Sequence, residues 1–145
     1  MNFWLLKSEP EKDRTYAELA ADGRGVWRGV RNFQARNFMR EMAVGDLGVM
    51  YHSGKERQVV GVIRITRAAF QDPTTDDDRW VAVGVEPVRA VETPVTLATI
   101  KATPALQEMK MVRQSRLSVS PATPEEFTTI LGLAGIGDLL DVAHD

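Results

Sequence analysis

The 145-residue sequence contains no cysteine. Disulfides, thiolate metal sites and cysteine nucleophiles are excluded, and a reducing setting, the cytoplasm, is expected. Histidine is scarce: His52 and His144 lie far apart, so no metal site and no other cofactor is expected. No apolar run approaches the ~20 residues that a membrane helix needs, so no membrane partner is expected. The opening MNFWLLKSEP is too short and too soon charged for a signal peptide, and it reads as a first strand. Internal repeats and low-complexity tracts are absent. A chain of this length reads as one domain over residues 1–145, with a short disordered tail from about residue 136.

Acidic side chains are missing from one stretch in particular. Arg24, Arg28, Arg31, Arg36 and Arg40 fall between Asp22 and Glu41 with no carboxylate among them, beside Trp27 and the amides of Asn32, Gln34 and Asn37. Cations, an aromatic face and planar hydrogen-bonding groups together suit a nucleobase and its phosphates. The net charge of −2 opposes this only on average, because Arg116 is the last basic residue and the segment after it carries −5. Residues 1–116 come to +3, which allows a local basic surface but not a strongly basic, indiscriminate binder.

The pattern predicts an α+β domain of five or six mostly antiparallel strands, partly closed into a barrel, with flanking helices. Asn2 to Lys7 is the first strand. Thr15 and Glu18 form a capping box for a helix over Tyr16 to Ala21 that Gly23 ends. Gly25 to Arg31 reads as shaped loop, and Asn32 as the N-cap of a helix over Phe33 to Met42 with Ala35, Phe38, Met39 and Met42 inward. The segment from Leu47 ends on Tyr51, His52 and Ser53, with Tyr51 facing as Leu47 and Val49 do. Val59 to Phe70 and Arg79 to Val91 complete a meander, with Gly61 marking a bulge or close approach and Pro87 an edge or bulge. Short helical pieces follow at Thr96 to Lys101 and Pro104 to Lys110. Gln114 to Val119 reads as a last strand with Arg116 and Ser118 on one face, and Thr123-Pro124-Glu125-Glu126 opens a last helix that Gly135 closes.

Each candidate side chain has a functional and a bland reading. Trp27 is a stacking platform or a core tryptophan; Trp4 and Trp80 read as core. Asn32 and Gln34 can hydrogen-bond a base edge, although Asn32 also suits a cap. Lys7, Ser8 and Glu9 follow a strand end, where a carboxylate accepts from an exocyclic amine or pairs with a nearby cation. Arg31 joins this ligand-binding set, and Arg28, Arg36, Arg40 and Arg113 are assigned to phosphates, against the alternative of a solvated, carboxylate-paired face. Arg113 and Arg116 strengthen the phosphate reading if they converge with the first cluster. Tyr51, His52 and Ser53 are read as pocket lining, since strand neighbours point to opposite faces and so make no dyad. Ser118 joins them, and no catalytic residue is expected.

WLLKSEP at 4–10, W-x-GVRN-x-QARNF at 27–38, GD with YHS at 45–53, VVGV at 59–62, DPT at 72–74 and SRLSV at 115–119 together resemble the EVE domain of the thymocyte nuclear protein family. The resemblance runs over roughly residues 2 to 134. It implies a PUA-like pseudobarrel, related to YTH and ASCH domains, and a pocket for a modified nucleobase such as 5-methylcytosine or 5-hydroxymethylcytosine. The expected partner is DNA or RNA carrying such a base. The segments SGKERQ and TDDD are short for the family, and a chain that opens at the domain resembles a bacterial stand-alone member. The expectation is a non-catalytic reader that takes the base into an aromatic-walled pocket, with an RNA-binding module as the alternative. A small ASCH-like amidohydrolase is a further one, with Lys7 and Glu9 its acid–base pair.

Overall fold

The computed structural model describes residues 1–140. The strands are β1 (Phe3–Ser8), β2 (Gly25–Trp27), β3 (Leu47–His52), β4 (Gln58–Gln71), β5 (Val81–Thr96) and β6 (Val119–Ala122). The helices are α1 (Tyr16–Asp22), α2 (Phe33–Glu41), α3 (Leu97–Ala102), α4 (Lys110–Arg113) and α5 (Pro124–Leu133), with a 3₁₀ turn at Pro104–Leu106. One six-stranded sheet runs β2-β5-β4-β3-β1-β6. All pairings are antiparallel except β1 with β3, whose parallel register needs the long crossover that α1, β2 and α2 provide.

Alternating side chains put a core on each face of the sheet. Leu5, Val49 and Tyr51 pack with Ile100, Met109, Phe127 and Ile130. Trp4, Leu6 and Met50 pack with Tyr16, Leu19, Ala35 and Met39 on the other face. Every residue of β3 is therefore buried, as expected of a strand covered on both sides. Tyr51 joins the same cluster as Leu47 and Val49, and Met39 and Met42 turn inward from α2 with Phe38 partly buried beside them.

Caps fix the helix ends. The Thr15 hydroxyl accepts from the Glu18 N–H, the Glu18 carboxylate accepts from the Thr15 N–H, and Gly23 closes α1 in the left-handed conformation. Thr123 and Glu126 repeat the box at α5, and the Asn32 side chain accepts from the Ala35 N–H at 2.8 Å. Four register shifts bend β4 against β5. Gly61 lies at one of them, where a Cβ would stand 2.2 Å from the Tyr16 ring, so close approach and bulge occur together. Pro87 faces Ile63 at another, beyond the short reach of β2.

Four expectations need correction. Gly25–Trp27 is a short strand on β5, not loop, because the sheet edge at Val83–Val85 offers it a ladder. Residues 114–118 form a turn and β6 starts only at Val119, so Arg116 and Ser118 do not share a strand face. Within Pro104 to Lys110 the helical piece is a single 3₁₀ turn, Pro104–Leu106, and the next helix begins at Lys110. The tail does not begin at 136: Ile136 is fully buried and Asp138 accepts from the Arg89 guanidinium at 3.0 Å. The rest of that expectation, His144 included, lies outside the described residues.

Candidate functional site

Val30, Ala35, Leu117 and Val119 share one apolar cluster, which clamps the loop entering α2 against the turn entering β6. Between them runs a groove of about 320 Å³ lined by Asn32, Gln34, Arg113, Gln114, Ser115, Arg116 and Leu117. The structure thus brings Arg113 and Arg116 to the amides of the first cluster. Lys7 braces the turn from beneath: its Nζ donates to the Ser115 carbonyl at 2.9 Å and its N–H to the Ser118 carbonyl at 2.8 Å. The same ammonium lies 5.8 Å from the Tyr51 ring centre, and burial lowers its pKa. Asn32 both caps α2 and lines the groove, so its Oδ1 is engaged while its Nδ2 donors face no partner among the described residues.

The arginines divide by what answers their charge. Arg24, Arg28, Arg36, Arg40 and Arg116 have no carboxylate partner among the described residues. Arg113 pairs only with Glu108, and both side chains are exposed, so the pair is weak and exchangeable. Arg36 donates to Asn37 Oδ1 at 2.7 Å and to the Arg79 carbonyl at 3.1 Å, which holds the guanidinium without neutralising it. Arg31 is different. Its Nη1 donates to Asp72 Oδ2 at 3.1 Å and its Nη2 to the Thr74 hydroxyl at 2.9 Å, so this predicted ligand contact serves the fold.

Asp72 is the residue that sequence reasoning missed. It is fully buried, and it accepts from the Gly29 N–H, the Thr74 N–H and hydroxyl, and Arg31. Burial pushes its carboxyl up, yet the Thr74, Gly29 and Arg31 donors together outweigh burial and hold it at about 2. Asp-Pro-Thr signals a local turn, but the donors 43 residues upstream leave no mark in that segment. Above this hub, Arg31 lies 5.6 Å and Arg79 6.0 Å from the Trp80 ring centre, and Trp80 packs against Phe33 with centroids 5.0 Å apart.

The remaining predicted residues lie elsewhere. Trp27 sits half-buried on β2 against the second core cluster, outside the groove lining. The Ser8 hydroxyl donates to the Arg14 carbonyl at 2.7 Å, and the Ser8 carbonyl accepts from the Ser53 N–H at 2.9 Å. His52 is buried: Nε2 accepts from the Tyr16 N–H at 3.1 Å, which leaves the proton on Nδ1, 3.0 Å from the Glu56 carboxylate. Ser8 and His52 therefore tie the approach to α1 to the sheet end, Ser53 joins the end of β3 to that of β1, and Tyr51 is buried in the first core cluster, so none of the four lines the groove. Glu9 packs towards Gly54 with Lys12 3.8 Å away, and no ion pair joins it to Lys7. A larger depression of about 570 Å³ between turn 54–57 and α3 contains none of the predicted site residues. Among the described residues no group of three His, Asp or Glu side chains is placed to hold a metal, and no helix is long and apolar enough to cross a membrane.

A mixed sheet with helices on both faces is the architecture of a PUA-like domain, here with an arginine–amide groove at one end of β1. The chain belongs to the EVE domain family, whose model matches residues 2–133. Thymocyte nuclear protein 1 of Danio rerio is 36% identical over 163 aligned positions, covering 90% of this chain and 71% of the relative. That alignment is longer than this chain, so the relative carries residues that this chain lacks. A crystal structure from Agrobacterium tumefaciens is 39% identical with a TM-score of 0.91, covering 95% of this chain and 96% of that one. Human THYN1 protein in complex with 5-methylcytosine-containing DNA is 32% identical with a TM-score of 0.85, covering 92% of this chain and 98% of that one.

Proposed function

We propose that this protein binds nucleic acid without catalysis and reads a modified cytosine in DNA. The observation that carries the reading is the meeting of Arg113 and Arg116 with Asn32 and Gln34 in one groove, from segments far apart in the chain. The THYN1 structure with 5-methylcytosine DNA supports DNA as the partner class. In this reading Arg116, Arg113 and Arg28 hold phosphates, with Arg36 and Arg40 extending the contact along α2. The Gln34 amide has no partner among the described hydrogen bonds, and its oxygen and nitrogen complement the exocyclic amine and ring nitrogen of cytosine. Extruding the base costs a few kcal/mol, which the edge and phosphate contacts together must exceed. Lys7 and Glu9 are turned to different partners, which favours binding over acid–base chemistry.

The test is a titration at one fixed salt concentration against matched oligonucleotides, single- and double-stranded, DNA and RNA, with and without methylated or hydroxymethylated cytosine. Tighter binding of one modified DNA is expected, with the preference erased by Gln34→Ala. Failure to bind any of them would overturn the proposal, and a requirement for the 2′-hydroxyl would move it to RNA.

A further inference from the structure

An aromatic surface does exist beside the groove, at a residue not assigned to the site above. Phe33 is half exposed, 50% by area, although it opens a helix whose inward face carries Ala35 and Met39. Its chain neighbours Asn32 and Gln34 both line the groove. On the helix surface Phe33, Arg36, Asn37 and Arg40 follow the i, i+3, i+4, i+7 spacing of a single stripe. That stripe faces away from the core and holds no carboxylate.

The ring is backed by a rigid support. Trp80 lies behind Phe33 at 5.0 Å with the planes 31° apart. Trp80 is itself buried and flanked by the guanidinium groups of Arg31 and Arg79, held respectively by buried Asp72 and by partly exposed Asp77. The Arg36 guanidinium lies 5.0 Å from the Phe33 centroid, the position a cation takes over an aromatic face. Its other contacts are an exposed amide and a carbonyl, so it can leave without stranding a buried charge. An isolated exposed phenylalanine is ordinary. A backed ring beside a groove, with an unneutralised arginine over it, is the composition of a base-stacking platform.

We infer that Phe33 is the stacking platform for a nucleobase adjacent to the one read in the groove, with Arg36 moving from the ring to that nucleotide's phosphate as the base takes its place. This rests on the nucleic-acid reading of the groove. It adds a second recognised nucleotide and a reason for the protein to favour strands in which that neighbour is unpaired.

The experiment is a binding cycle between protein and oligonucleotide. Wild type, Phe33→Ala, Phe33→Leu and Phe33→Trp are titrated with a single-stranded oligonucleotide bearing the preferred base, and with versions in which each neighbour in turn is abasic. Stacking predicts that Phe33→Ala weakens the intact oligonucleotide roughly 5- to 150-fold. Phe33→Leu keeps an apolar contact on Trp80 but has no π-face, so it should lose as much, while Phe33→Trp should retain the affinity. With one neighbour abasic, wild type and Phe33→Ala should bind alike. Equal weakening of intact and abasic strands, rescue by leucine, or no loss from Phe33→Ala while Arg116→Ala still weakens binding would each overturn the platform and leave the groove standing. Absence of binding by wild type would overturn both.

Discussion

Two arginine-bearing regions of this molecule, both built around the entry to α2, are put to opposite uses. Around Asp72 each donor has its acceptor: Arg31, Gly29 and Thr74 close on one buried carboxylate, and the guanidinium comes to rest over Trp80. Around the 114–118 turn and the helix end before it the cations are left open: among the described residues Arg116 has no carboxylate and Arg113 only an exposed one. An arginine facing a buried acid sets the shape of the loop, whereas an arginine facing solvent is available to an external anion. The difference lies in the partner, not in the residue type or its place in the chain.

The comparison can be broken first at Asp72. Asp72→Ala should cost about 2–3 kcal/mol of stability, read as a lower urea midpoint at unchanged slope, because charged and backbone donors lose their acceptor. A loss no larger than that of an exposed arginine would erase the distinction. Acid probes the same hub more gently. Since the folded carboxyl titrates at about 2 against an ordinary 3.8, its stabilisation is complete above that ordinary value and is lost as the pH falls through the folded one. The stability gap between wild type and Asp72→Asn should therefore close from pH 4 to pH 2, and a constant gap would count against the assignment.

On the open side, Arg116→Ala should leave stability within about 0.5 kcal/mol of wild type. It should weaken every oligonucleotide alike by about 1–2 kcal/mol and reduce the salt slope of binding by roughly 0.7–0.9. A change confined to the modified base would place Arg116 on the base and not on phosphate. The smallest effect is expected from Glu108→Gln, which frees Arg113 from an exposed pair: stability should move by less than about 0.5 kcal/mol. Oligonucleotide binding should tighten slightly at low salt, and weaker binding would mean that Glu108 positions Arg113 productively.

Local signals in the chain were legible where the physics is local. The Thr15 and Thr123 capping boxes, the Asn32 cap, the inward stripe of α2 and the shared face of Tyr51 and Val49 all follow from spacing within a few residues. The turn at 114–118 reads as a strand in the sequence because Leu117 and Val119 both go inward, which mimics alternation. His52 and Ser53 suit a pocket rim in the sequence because polar residues at a strand end do so; in the structure the N-terminus of α1 claims His52, and the Ser8 carbonyl at the end of β1 claims the Ser53 N–H.

The amino-acid sequence by itself determined most of the helices and strands, the caps, the inward stripe of α2 and the presence of an acid-free arginine cluster, since each depends on neighbours within a turn or two of chain. Only the tertiary structure decided which arginine meets Asp72, which reach the groove, that Trp27 packs away from it and that Phe33 stands exposed beside it. Those assignments depend on which distant segments the two apolar clusters press together, and a charge is answered by whatever packing places within a few ångströms of it.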